Sequence, residues 1–251
     1  MQSSNDESHR LSTHENGILK DDDIVLVNQV AFGRKKIVKK KLSGYENFSR
    51  LLQQSCTFFV LFCGFWTCLN LASLVLCEDG FENLGFQVIA IHYTTICVTS
   101  IFSTALLKHF GTFKCLLFGA LAYCTLILAF VFPATKYDHP DDEGTFFVSD
   151  AFIKTMLVLT AIISGFGASI LWVANGNYIS ECAIEQTKGF FFGFFWVIYM
   201  LSQVCGSLIG AAILESGRRQ EFLQLTMLGL ALAAAVAFCC VRPPLILEAE
   251  G

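Results

Sequence analysis

Charge is scarce in this sequence: only 15% of its 251 residues are Asp, Glu, Lys or Arg, against about 25% in ordinary soluble domains. The charge is also unevenly spread, because the first 50 residues hold 9 of the 17 basic and 7 of the 21 acidic side chains. The rest of the chain is too apolar to stay dispersed in water; overall there are 25 Phe, 54% hydrophobic residues and a mean hydropathy of +0.58. That balance excludes a secreted disulfide scaffold, a nucleic-acid binder and a soluble enzyme. The 11 cysteines contain no C-x-x-C pair; most fall in apolar runs, where a thiol acts as a small apolar residue. No Ser-His-Asp or Cys-His arrangement, metal-ligand spacing or phosphate-cradling glycine loop is found, so no catalytic residue, metal site or cofactor is assigned.

What is there is a series of bilayer-length apolar runs. Crossing roughly 30 Å of hydrocarbon takes about 20 apolar residues as a helix, and six segments qualify: 51–77, 84–107, 115–132, 152–173, 190–214 and 222–241. They are apolar on all sides and lack the alternation of barrel strands, so the expected fold is an all-α integral membrane bundle. The breakers fall between them: Glu78-Asp79-Gly80, His109 to Thr112, Pro133 onward, Asn175-Gly176-Asn177 and Ser216 to Arg219. Residues 1–50 form a separate polar arm. Its first 33 residues lack apolar periodicity and are expected to be disordered, and its start shows no basic-then-apolar signal peptide. A basic cluster occupies 34–41, and 242–251 reads as a short polar tail.

Basic residues set the expected orientation. With the N-terminus in the cytosol, eleven lie inside, from Arg34 to Arg50 and at Lys108, Lys114, Lys188 and Arg242, whereas Lys136, Arg218 and Arg219 lie outside. The positive-inside rule favours this placement, with both termini cytosolic; it does not choose between the plasma membrane and an endomembrane.

Apart from Lys154 at a membrane edge, no Asp, Glu, Lys or Arg falls inside a span. Proton-coupled carriers usually bury such groups along the transport path. The strongest polar candidates left are Asn70, His92 and Gln203. Each is either an interhelical hydrogen-bonding group, worth roughly 0.6–2 kcal/mol, or a contact for a solute. Small residues mark close helix approach at Gly189–Gly193, Gly206–Gly210 and Ser164–Ser169. Trp66, Trp172 and Trp196 are interfacial anchors or internal packing. Asn47-Phe48-Ser49 spells a glycosylation sequon but is expected to be unused, and Tyr45-Glu46-Asn47-Phe48 spells a tyrosine-based sorting signal.

Six helices with both ends inside is the arrangement of one half of a major facilitator transporter, two inverted three-helix repeats. Of that superfamily's loop motif after the second helix, only Gly111 is retained across 104–113. A closer likeness is to the uncoordinated-93-like family, a divergent branch of that superfamily. Cys68-Leu69-Asn70-Leu71-Ala72-Ser73 resembles its Leu-Gln-Asn-Leu-Gln-Ser signature. The stretch from Gly165 through Trp172, Asn175, Gly176 and Tyr178 to Ser180 is similar to its Gly-Ala-x-x-x-Trp-x-x-Gln-Gly-x-Tyr-Leu-Thr run, with Asn175 in place of Gln. Gly189, Gly193, Phe195-Trp196, Gln203 and Gly206 follow its fifth helix. Family members usually carry twelve spans, and this chain matches the N-terminal six.

The resemblance implies an accessory membrane protein, a regulator of ion channels or a trafficking escort of receptors. Its partners would be the lipid bilayer and a channel or receptor subunit, or a second copy of the chain. Gly193 and Trp196 would supply the lateral packing face. Two other readings stay open at this point: a facilitative carrier of a small uncharged or lipid-like solute, lined by Asn70, His92 and Gln203, and a fragment without activity.

Overall fold

The computed structural model describes residues 24–31, 34–41, 45–139 and 146–248. Expectations that fall on residues 1–23 and on 249–251 lie outside the described residues.

Because hydrocarbon offers no hydrogen-bond partners, each apolar run satisfies its own backbone as a helix. The helices are α1 (Phe48–Leu76), α2 (Leu84–Phe110), α3 (Thr112–Ala129), α4 (Val131–Asp138), α5 (Asp150–Cys182), α6 (Lys188–Glu215) and α7 (Gln220–Cys239). With α3 and α4 crossing together as Thr112–Asp138, six segments are long and apolar enough to span a membrane. The protein is an all-α multi-pass membrane bundle, with three short strands outside the spans.

Several boundaries differ from the sequence-based expectation. The third span was expected to stop before Pro133, yet α4 continues it. Pro133 is the third residue of α4, inside the first turn, where a missing N–H breaks no helical bond. Asn175-Gly176-Asn177, expected to end the fourth span at 173, lies inside α5. There Asn177 Nδ2 donates to Glu181 one turn on (2.6 Å) and to Thr112 Oγ1 (3.1 Å), and Asn175 is buried.

The polar arm and tail also differ from expectation. β1 (Ile24–Ala31) and β2 (Arg34–Lys41) form an antiparallel hairpin, and β3 (Ile246–Glu248) adds to its other edge in the order β2-β1-β3. The β1 sequence Ile-Val-Leu-Val-Asn-Gln-Val-Ala is rich in β-branched residues that favour extended backbone. The basic cluster is therefore a strand, and the tail beyond α7 joins the same sheet.

Packing repeats itself within the bundle. α1 packs on α6 and α7, α5 packs on α2 and α3, and α3 meets α7. Exchanging the first three spans for the last three maps this pattern onto itself, the signature of a three-plus-three repeat. α1 and α5 form the centre, whereas α2 and α6 are peripheral, with only 17% and 22% of their apolar windows buried. Small residues permit the central contacts. A Cβ on Gly206 would lie 2.4 Å from the Cys63 carbonyl oxygen, and one on Gly167 would lie 2.2 Å from Ala122 Cβ.

Candidate functional site

An aromatic and polar seam runs through the centre. α1 contributes Phe58, Phe62 and Phe65, α3 Tyr123, α5 Trp172, and α6 Phe195 and Tyr199, with successive rings 4.6–5.8 Å apart in mostly edge-to-face contacts. This geometry suits ring quadrupoles and adds about 0.5–1.5 kcal/mol per pair beyond area burial. Trp172 is the hub. Its indole Nε1 donates to the Tyr123 hydroxyl (3.3 Å), and its face stacks on Trp196 at 5.7 Å and 12°. Trp172 is thus internal packing, and Trp196 is its half-exposed lid at 44% exposure.

His92 is buried at the edge of this seam, its Nδ1 2.7 Å from Ser164 Oγ and its ring 5.6 Å from Phe65. Asn175 is likewise buried, and its Oδ1 accepts from Gln54 Nε2 at 3.3 Å. Both are interhelical hydrogen bonds. Asn70 and Gln203 differ: Asn70 is exposed, Gln203 half-buried, and neither has a hydrogen-bond partner among the described residues. An unsatisfied amide in hydrocarbon costs several kcal/mol, which bears on Gln203 in the middle of α6; Asn70 lies next to Leu71, the last residue of the first span.

A second polar cluster sits at the end of the bundle where α1 begins and α7 finishes. Asn47 brackets the backbone of Leu245, with Nδ2 donating to its carbonyl (3.0 Å) and Oδ1 accepting from its N–H (2.9 Å). Arg50 Nε donates to the Pro243 carbonyl and Gln53 Nε2 to the Cys240 carbonyl, each at 2.8 Å. From α5, the Tyr178 hydroxyl donates to the Arg242 carbonyl at 2.8 Å. Residues 241–245 are therefore a strap held across the foot of α1. The sequon asparagine is buried within it, and the sorting-signal tetrapeptide is a turn, with the Phe48 N–H bonded to the Tyr45 carbonyl and Tyr45 packed on Phe190.

The outward face of α6 is the third feature. Gly189, Gly193, Trp196, Val197, Met200 and Val204 recur at helical spacing and are exposed, with Gln203 at the edge of the stripe. A Cβ on Gly189 or Gly193 would meet no atom within 4 Å. The two G-x-x-x-G matches therefore separate: Gly206 and Gly210 are spent on α1, whereas Gly189 and Gly193 face open space, although Phe190 and Phe191 between them pack on Phe48 of α1. Gly176 also has open space around it. Among the described residues no three His, Cys, Asp or Glu side chains converge as a metal-ligand set.

The family described as "Ion channel regulatory protein UNC-93" matches residues 144–248, from just before α5 through the strap to β3. The chain resembles the UNC-93 family. Seven of the nine expected site residues fall in that match, from Trp172 to Gln203; Asn70 and His92 lie outside it. The chain is 23% identical over 197 residues to UNC93-like protein MFSD11 of Xenopus laevis, covering 74% of this chain and 40% of that one. Against UNC93-like protein 3 of Arabidopsis thaliana identity is 24% over 184 residues, 69% of this chain and 34% of the relative. Protein unc-93 homolog A of Mus musculus gives 24% over 186 residues, 70% and 36%. The match thus spans 34–40% of the length of these relatives, and the resemblance is to the N-terminal half of an UNC-93 family protein. No solved structure matches the chain.

Sequence reasoning missed Gln54, Ser164, Tyr123 and the Asn47–Arg50–Gln53 clamp. Gln54 carried the same signal as Asn70, a carboxamide in an apolar run. So did Gln224, whose Oε1 accepts from Cys68 Sγ at 2.9 Å. The clamp left no such mark, because its acceptors are backbone carbonyls almost two hundred residues away.

Proposed function

We propose that the chain acts as a non-enzymatic accessory protein, packing laterally in the bilayer against a channel or receptor subunit through the outward face of α6. The observation that carries this reading is the open stripe from Gly189 to Val204, with two glycines clear of all neighbours and Trp196 exposed beside them. Small residues let a second backbone approach closely, and that dispersion contact is the main source of helix association in lipid. Gln203 at the stripe's edge offers an amide for a hydrogen bond across the contact. The family description, a regulator of ion channels, points the same way. The basic residues at that end favour a cytosolic position for both termini.

The test uses a photo-crosslinking residue at Val197 or at Val236, an equally exposed position on α7. Adducts to a channel or receptor subunit are expected from 197 and not from 236, and Gly193→Leu should abolish them. Equal adducts from both positions, or none that Gly193→Leu affects, would overturn the reading.

A carrier for a small uncharged or lipid-like solute is the second reading, favoured by the transporter-like repeat packing and by the free amides of Asn70 and Gln203. Saturable solute flux into reconstituted vesicles, lost on Gln203→Ala, would move it to first place.

A further inference from the structure

On another side of the bundle, a groove of about 570 Å³ opens between the end of α2, the start of α3 and the middle of α5. Leu106 and Phe110 form one wall, Ile170 another, and Phe118 and Phe166 meet edge to face with ring centroids 6.0 Å apart. Its size falls in the roughly 300–1,000 Å³ range of small-molecule sites. The lining is apolar everywhere except at one end, where Lys114 stands. Lys108 and His109, in the last turn of α2, are exposed at the same end. Neither lysine has an ion-pair partner among the described residues. Glu181, an acid at this end of the bundle, is instead engaged by Asn177.

An apolar slot with cations only at its mouth selects a molecule with a hydrocarbon tail and an anionic head. A peptide segment fits poorly, because its backbone would find almost no hydrogen-bond partner along the walls. We propose that this groove holds one acyl chain of an anionic phospholipid of the bilayer, with its net negative headgroup at Lys114 and Lys108. The site uses α2, α3 and α5, so it is independent of any partner on α6. It places the lipid in the leaflet at the end carrying the strap, the leaflet expected to face the cytosol.

The full chain in neutral detergent would be equilibrated with an equimolar mixture of phosphatidylcholine and phosphatidylserine of the same chain length, and retained lipid measured by mass spectrometry. Phosphatidylserine should be enriched. Lys114→Gln should reduce that enrichment about fivefold, from roughly 1 kcal/mol per basic residue at the surface and tenfold per 1.4 kcal/mol. Leu106→Trp, which fills the groove, should abolish retention while both variants keep the parent melting temperature. Equal retention of the two lipids, or enrichment untouched by Lys114→Gln, would overturn the proposal. So would enrichment surviving Leu106→Trp, or displacement by free glycerophosphoserine, since either means that the headgroup binds without a tail in the groove.

Discussion

Leucine placed at Gly206 and leucine placed at Gly193 are the same chemical change on the same helix, and the structure gives them opposite consequences. At Gly206 the new Cβ would lie 2.4 Å from the Cys63 carbonyl oxygen and 2.8 Å from Thr67 Oγ1. The first of these is backbone, so α1 must shift to relieve it. Overpacking of this kind costs about 1–3 kcal/mol, and the rest of the leucine side chain pushes toward the upper end. At Gly193 no atom lies within 4 Å, and replacing a mid-helix glycine gains about 0.5–1 kcal/mol. The glycine-replacement gain is common to both helix positions, so the two variants should differ by the overpacking cost, about 1–3 kcal/mol in stability. A thiol-reactive fluorogenic dye reads this in detergent, because Cys63, against Gly206 of α6, and Cys68, bonded to Gln224 of α7, are both buried under the helices that pack on α1. Gly206→Leu should expose them at a lower temperature than the parent chain, and Gly193→Leu at the same or a higher one. Coincident melting of the two variants would refute the assignment of one glycine pair to internal packing and the other to an open face.

Asn47→Ala should lose both bonds to Leu245 and about 1–3 kcal/mol of local stability, read as faster proteolysis after Val241; glycosidase treatment should leave the parent's gel mobility unchanged. Ser164→Ala, which removes the partner of His92, should lower stability by roughly 0.6–2 kcal/mol. Asn70→Leu should stay within about 0.5 kcal/mol of the parent, because Asn70 has no internal partner; thermal unfolding of the pair tests both. In sealed cells, chains carrying only Cys77 should react with a membrane-impermeant maleimide, and those carrying only Cys240 should react after permeabilisation. Reversed labelling would overturn the orientation.

The six spans were legible because hydrocarbon solvation imposes one requirement, an apolar run of sufficient length, and each run meets it without help from its neighbours. Their ends were less legible. Asn175-Gly176-Asn177 looked like a breaker because its residue types favour turns, but burial of Asn175 against Gln54 and the bonds of Asn177 to Thr112 and Glu181 hold it helical. Of the expected site residues, the polar candidate His92 and the motif residue Asn175 make helix-to-helix bonds, and only tertiary structure separates these from the free amides of Asn70 and Gln203. The same holds for the two glycine motifs, identical in spelling and opposite in surroundings. The strap was beyond sequence reasoning, since a backbone carbonyl is the same whichever side chain accompanies it.

The strap makes the six-helix unit a loop in space. Asn47 and Leu245, separated by 198 positions along the chain, are joined by two hydrogen bonds, so the polypeptide enters and leaves the unit at one corner. A few residues of linker suffice to connect those points covalently, and new ends opened between α6 and α7 would leave every helix intact. Such a circular permutant should insert and fold, and the unit can be spliced into another polypeptide at that corner without pulling its first and last helices apart.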